Sequence, residues 1–422
     1  MQGLQSPFCL LHTQNIGYFA VGNKKSEITN TIMKFMMIND RPVKIWTDYM
    51  DGSAMKQIEN ICTLPFLYHH LAIMPDVHAG MGMPIGGVLA CKDAVIPNAV
   101  GVDIGCGMCA IKTNWKTAAI SPHVLRDKIM TAVRKRIPFG MDHHQELQDE
   151  KYMPEGYDID KMYVISHQYK AALRQVGTLG GGNHFIEFQK DEADNLWVMI
   201  HSGSRNLGKQ VGEYYNKIAT RLNTIWYSQV SPDILLPFLP LTTHEFNNYW
   251  AEMRYCIDFA LCNRRLMMER IKEILVDVLP RIEFEPMINI AHNYAAWENH
   301  FGESVIVHRK GATLARKGIT GIIPGSMGSA SYIVEGLGNP DSFCSCSHGA
   351  GRTMSRKAAI NNLSFDEEVR HLNELGIIHG ISRQYDLQEA TSAYKDIETV
   401  MANQLDLVRI KTRLMPIASM KE

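Results

Sequence analysis

Apolar positions along this chain recur in two rhythms. Short runs bounded by turn residues read as strands. Leu71-Ala72-Ile73-Met74 and Gly87-Val88-Leu89-Ala90 read as buried strands, and Trp197-Val198-Met199-Ile200 as a strand that ends at His201. Val305–Val307 and Ile319–Ile323 repeat the pattern later. Elsewhere the spacing is helical. Ser121-Pro122 opens a capped helix carrying Val124, Leu125, Ile129, Ala132 and Val133, stopped by Pro138 and Gly140. The longest helical span runs from Thr243 to about Leu279, with Phe246, Trp250, Met253, Ile257, Ala260, Leu261, Met268, Ile271 and Leu275 on one spacing. Ser228–Leu241, with three prolines, is a loop before it. Ser364-x-x-Glu367 forms a capping-box pattern, and Ile397, Val400, Met401, Gln404, Leu405 and Val408 line a last helix.

Strands and helices are interleaved throughout, without repeats, low-complexity tracts or a clear linker. The expectation is an α+β fold: a single large mixed α/β domain over residues 41–422, with a β-sheet core surrounded by helices. Residues 1–40 lack the pattern and are expected to be an extension poorly integrated with the fold. Length alone suggests roughly two to three domains, a prior the interleaving overrides.

Composition narrows the class. Of 422 residues, 45% are hydrophobic, enough for a large core, and 43 Lys+Arg against 44 Asp+Glu leave a net charge of -1. There is no global signature of a nucleic-acid binder, although a local basic groove would suffice. The short basic clusters Arg134-Lys135-Arg136, Arg264-Arg265, Arg309-Lys310, Arg316-Lys317 and Arg356-Lys357 read as solvated faces. Nine cysteines, an odd number in a chain too large to need staples, suggest a reducing compartment. No signal-peptide pattern and no apolar run of about 18 residues is visible, so a soluble cytoplasmic protein is expected.

The chemistry concentrates in six glycine- or asparagine-bordered segments. Ser342–Arg352 sets His348 among small residues with Arg352 four positions on, an anion-binding loop with a nucleophile or base at its centre. Gly101–Gly107 carries Asp103 and Cys106. Gly180–Glu187 carries His184, and His201–Arg205 ends a strand. His292-Asn293-Tyr294 follows an apolar run, and Met74–Gly80 holds Asp76 and His78. Asp103, Cys106, His184, His201 and His292 form a plausible ligand set for metal. Five donors are too many for one tetrahedral site, so a thiolate bridging two ions is the economical arrangement. Ligand softness alone points to zinc or iron. Any one of these histidines, taken singly, is more simply a core or turn residue; their joint occurrence reverses that.

The segments Asp76-Val77-His78, Gly101–Gly107, Gly180–Glu187, His201–Arg205, Pro324-Gly325-Ser326-Met327-Gly328 and Cys344–Arg352 closely resemble the RtcB family of RNA-splicing ligases, from about Val43 onward. That resemblance implies an RtcB-like fold and a GTP- and Mn2+-dependent ligase. Such an enzyme joins RNA 3′-phosphate or 2′,3′-cyclic phosphate ends to 5′-hydroxyl ends, in RNA repair or tRNA splicing. It implies that His348 takes up GMP as a phosphoramidate. It implies one manganese on Asp103, Cys106 and His184, and a second on Cys106, His201 and His292. The implied guanylate site comprises Asn183, His184, Phe185, Ile186, Glu187, His292, Asn293, Pro324, Gly325, Ser326, Met327, Ser331, His348, Gly349, Ala350, Gly351 and Lys421. Glu187 is a candidate acceptor for guanine N–H groups. An archease-like activator is a further implied partner.

Two departures face the RNA. Met81 stands where several relatives carry a basic or aromatic residue, and Pro138–Asp158 is rich in acidic residues. They leave room for a guanylyltransferase that caps 3′-phosphate ends without sealing them. Two remoter readings are a phosphatase built on the Cys346-x5-Arg352 spacing and a non-catalytic RNA- or nucleotide-binding protein.

Overall fold

The computed structural model describes residues 33–422. Most of the 1–40 extension therefore lies outside the described residues. Its last part does not: β1 (Lys34–Ile38) pairs antiparallel with β2 (Arg41–Ile45), so the expected boundary at 40/41 falls in the turn of a hairpin. Next come α1 (Gly52–Ile61), β3 (Leu67–His78), β4 (Ile85–Cys91), the two-residue β5 (Ala94–Val95), the single-turn α2 (Pro97–Val100) and β6 (Gly107–Lys116). After α3 (Thr131–Arg136) and α4 (Tyr163–Gln175) follow β7 (Phe185–Lys190), β8 (Asn195–Ser202), α5 (Arg205–Ile225), β9 (Leu239–Pro240) and α6 (His244–Val278). The rest comprises β10 (Ile288–Ala291), β11 (Asn293–His300), β12 (Glu303–Lys310), β13 (Ala312–Leu314), β14 (Thr320–Ile323), β15 (Ser331–Gly336) and β16 (Ser345–Ser347). Helices α7 (Arg356–Asn362), α8 (Phe365–Glu374) and α9 (Ile397–Ala402) lead to β17 (Val408–Met420).

Two sheets carry the fold. One is ordered β1-β2-β3-β4-β12-β11 and the other β10-β6-β8-β7-β17-β15-β14. Only β2–β3 is parallel within them. Largely antiparallel sheets with helices packed on their faces bear out the α+β expectation. The second sheet buries Ile186, Phe188, Val198 and Ile200 against Met267, Met268, Ile271 and Leu275 of α6. The described residues form one compact unit.

The strand expectations at residues 71–74, 87–90, 197–200 and 305–307 fall inside β3, β4, β8 and β12. Helix α6 starts where expected because the Thr243 hydroxyl accepts the Phe246 N–H at 3.2 Å. Ser364 caps α8 in the same way, accepting the Glu367 N–H at 3.4 Å. The helix expected after Ser121 forms, but its first part, Val124–Met130, winds as a π-helix before α3. The last helix is shorter than its apolar spacing suggested. It stops at Ala402, and Val408 begins β17. Gln404, counted on that stripe, leaves it: fully buried, its side chain accepts the Ser347 N–H at 3.0 Å.

Two basic clusters are also corrected. Arg264, Arg309 and Lys310 are buried rather than solvated. Arg309 pairs with buried Glu298, and its guanidinium also donates to Ser345 Oγ at 2.9 Å and Phe343 O at 2.9 Å. It thereby ties β12 to the segment that leads into His348. Burial would raise the Glu298 carboxyl, but the Arg309 charge holds it well below the carboxylate range. Removing one member of a buried pair leaves the other charge unmatched. Arg309→Met should therefore lower stability by about 3–5 kcal/mol in urea unfolding; an unchanged midpoint would contradict this account.

Candidate active site

The metal-ligand candidates meet because of strand register. Strands β10, β6, β8 and β7 are neighbours, and their ends align at one edge of the sheet. Gly107 pairs with Ser202 and with Ala291, while Phe185 pairs with His201. Cys106 just precedes β6, His184 precedes β7, His201 lies near the end of β8, and His292 follows β10. The ladder thus brings four distant segments to one row. Gly105 lets the Asp103–Cys106 loop lie directly against α6: a Cβ there would meet Ile257 Cα at 2.8 Å. Gly203 leaves space for the Asp103 carboxylate, which a Cβ would meet at 2.1 Å.

All five donors interlock. Cys106 Sγ lies 3.5 Å from His184 Nε2 and 3.3 Å from His201 Nε2. His184 Nε2 is 3.1 Å from Asp103 Oδ2, and His201 Nε2 is 3.4 Å from His292 Nε2. Backbone carbonyls fix two tautomers. His184 Nδ1 donates to Leu179 O at 3.0 Å and His201 Nδ1 to Asn183 O at 3.1 Å, so each Nε2 presents a lone pair. Burial pushes the His201 and His292 pKa values well below the usual imidazole range. Burial would raise Asp103, but its side-chain contacts with His184 and Cys106 and the charge of Arg205 hold it low. Burial and the Asp103 charge raise the Cys106 thiol until a cation is present. Neutral imidazoles with converging lone pairs beside a carboxylate and a thiol fit one or two divalent ions.

The nucleophile candidate stands next to this cluster, with the His292 and His348 rings edge to face at 4.8 Å. His348 follows β16, and Asp76 of β3 grips it three times. Asp76 Oδ2 accepts His348 Nδ1–H at 2.5 Å, the His348 N–H at 3.0 Å and the Gly349 N–H at 3.3 Å. With Nδ1 engaged, Nε2 is the free nitrogen of the ring. Asp76 is fully buried; burial would raise it, but its contact with His348 and the nearby Lys395 charge keep it low. Lys395 steadies the Asp76 backbone, donating to Pro75 O at 3.0 Å and Val77 O at 2.7 Å.

His348 lines a cavity of about 450 Å³ together with Gly349, Ala350, Gly351, Arg352, Asn183, Phe185, Glu187, His201, Pro324, Gly325, Ser326, Met327 and Lys421. His78, Arg356 and Tyr394 also line it, three residues that sequence reasoning did not assign. Glu187 is buried at its floor, accepting from Ser419 Oγ at 3.0 Å and Gln189 Nε2 at 2.8 Å. Burial pushes its pKa up to about 7, against the pull of Lys421. Arg352 and Arg356 are tied to buried Glu389, at 3.2 and 2.7 Å, and Arg352 also donates to Gln388 O at 2.7 Å.

Five residues expected at the guanylate site do not line the cavity; two of them, His184 and His292, stand in the donor cluster instead. Ile186 points from β7 into the core beneath it. Asn293 braces the loops, accepting the Gly311 N–H at 2.7 Å and donating to Asp103 O at 3.2 Å. Ser331 lies beneath the Pro324 loop and accepts the Gly325 N–H at 3.2 Å. Cys346 is fully buried and its thiol is pushed up by burial, so the phosphatase reading of its spacing has no exposed thiolate to stand on. The Asp76 grip escaped sequence reasoning, although the Asp76–His78 motif marked the segment.

Comparison with known proteins gives one consistent answer. The family model described as tRNA-splicing ligase RtcB matches residues 57–422. An Escherichia coli protein named RNA-splicing ligase RtcB1 is 38% identical, covering 92% of this chain and 99% of its own length. RNA-splicing ligase RtcB of Escherichia coli K12 is 37% identical over the same shares. The tRNA-splicing ligase RtcB of Thermococcus kodakarensis is 31% identical, over 87% of this chain and 91% of its own.

The donor geometry makes a direct prediction. Wild-type protein titrated with Co2+ should develop thiolate-to-metal charge-transfer absorption, lost in Cys106→Ser. Gly203→Ala should weaken Co2+ binding about tenfold or more by displacing Asp103. Unchanged binding in both variants would contradict the five-donor site.

Proposed function

The chain belongs to the RtcB tRNA-splicing ligase family, and on that premise we propose that it seals RNA 3′-phosphate or 2′,3′-cyclic phosphate ends to 5′-hydroxyl ends, using GTP and Mn2+ through GMP carried on His348. The observation that carries this reading is the His348–Asp76 grip in the cavity wall, beside a cluster of candidate metal donors that reaches the same cavity through His201.

His348 Nε2 attacks the α-phosphorus of GTP, forming a P–N bond as the bond to pyrophosphate breaks. Asp76 holds Nδ1–H, fixes the ring and offsets the positive charge that the imidazole gains as Nε2 becomes bonded. Asp103, Cys106, His184, His201 and His292 would hold two manganese ions, which supply charge neutralisation and Lewis acidity at the reacting phosphates. The RNA 3′-phosphate oxygen then attacks the phosphorus of the histidine-bound GMP, the P–N bond breaks, and His348 returns to its starting state. The 5′-hydroxyl finally attacks the 3′-phosphate phosphorus and GMP leaves. Glu187 and Lys421, which line the cavity and interact electrostatically, would meet the guanine ring. Among the described residues no helix is long and apolar enough to cross a membrane, and the eight cysteines found there are unpaired.

Incubation with Mn2+ and GTP labelled at the α-phosphate should give an acid-labile, alkali-stable protein adduct. His348→Ala should abolish it, and Asp76→Asn should slow its formation about 100-fold or more. Cys346→Ser should leave it unchanged. Absence of an adduct from folded, manganese-loaded protein would overturn the reading. RNAs with defined ends, supplied with and without an archease-like activator, separate sealing from capping: ligated strands support the ligase, and accumulation of 3′-guanylylated ends alone supports the guanylyltransferase.

A further inference from the structure

We propose that Asn263 and Arg264, adjacent at the middle of α6, are positioning residues that hold the metal-ligand segments in register from behind. The inference rests on the metal-centre reading above. Both side chains are completely buried. Arg264 Nη1 donates to Gly105 O at 3.0 Å and Ser202 O at 2.7 Å, and Nε donates to Asn289 Oδ1 at 2.8 Å. Gly105 directly precedes Cys106, Ser202 directly follows His201, and Asn289 lies on β10, which leads into His292. One guanidinium therefore ties three ligand-bearing segments.

Asn263 adds the fourth. Its Oδ1 accepts the Gly177 and Thr178 N–H groups at 2.7 and 3.1 Å. Its Nδ2 donates to Thr178 O, Ser202 Oγ and Gly203 O, each at 3.1 Å. Ser202 Oγ donates in turn to Leu179 O at 2.6 Å, the same carbonyl that fixes the His184 tautomer. Gly203 is the residue against which the Asp103 carboxylate rests. Every ligand segment thus reaches this pair through one to three hydrogen bonds.

Packing alone gives no reason for a guanidinium here. Arg264 makes no ion pair among the described residues, and its Nη2 has no hydrogen-bond partner. A buried, unpaired charge is unfavourable where an aliphatic chain would fill the space. Its rigid fork, however, holds two carbonyls on Nη1 and the Asn289 side chain on Nε in one fixed geometry, which a flexible ammonium does not. Its charge also faces Asp103 and Cys106, the two anionic donors of the proposed centre.

The test uses the full chain, freed of metal and titrated with Co2+, in wild type, Arg264→Lys, Arg264→Met and Asn289→Ala. Three readouts are taken: Co2+ affinity by chelator competition, the Co2+ ligand-field spectrum, and urea unfolding of the metal-free protein. Arg264→Lys keeps the charge but loses the fork, and should weaken Co2+ binding about 10- to 100-fold with altered ligand-field bands. Asn289→Ala, the mildest change, should move both in the same direction by less. Variants that unfold more easily yet bind Co2+ with wild-type affinity and spectrum would overturn the positioning role. If the Arg264 variants do not fold, Asn289→Ala decides by the same criterion. A wild-type protein without Co2+ uptake would overturn the metal centre and this proposal together; wild-type uptake with unaltered variants overturns only the positioning role.

Discussion

Packing a half-buried carboxylate, a buried thiol and three buried imidazoles into one chain of close contacts is unfavourable unless each polar atom is answered, and the molecule is organised around answering them. The ladder of β10, β6, β8 and β7 brings the segments to one edge. The carbonyls of Leu179 and Asn183 then orient two imidazoles, and Asp103 stays anionic beside His184. What the protein leaves unanswered is informative: the imidazole nitrogens of His184 and His201 converge on Cys106. A divalent cation at that point would complete the set.

The same logic governs the nucleophile. A histidine in a flexible glycine-bordered loop would present either nitrogen. Here Asp76 takes Nδ1–H and two backbone N–H groups at once, so ring and loop are fixed together. Lys395 fixes the strand that carries Asp76, Gln404 holds Ser347, and Arg309 holds Phe343 and Ser345. The loop is short of regular structure but not of restraints, which is what in-line attack on a phosphate demands.

Much of this was legible in the amino-acid sequence. The apolar spacing from Thr243 onward marked α6 nearly to the residue, and glycine-bordered Asp, Cys and His positions pointed to one centre. What escaped notice shares a physical cause. Asp76 sits in an apolar stretch and its partner lies far along the chain, so no local pattern betrays the pairing. Arg264 and Arg265 look alike as a basic doublet, yet adjacent helical positions face different ways: Arg264 is buried and Arg265 exposed. Gln404 kept a helical spacing that the chain abandons after Ala402, because its amide is needed at Ser347. Tertiary hydrogen bonding decided each case, and periodicity does not encode it.

The central claim is that Asp76 leaves His348 only one nitrogen with which to react. Guanylylated protein prepared with Mn2+ and GTP, with its histidines labelled with nitrogen-15, tests this most directly by phosphorus–nitrogen coupling in NMR and by peptide mapping of the GMP adduct. The account predicts a single phosphoramidate on Nε2 of His348. Attachment through Nδ1, or to any other residue, would contradict it.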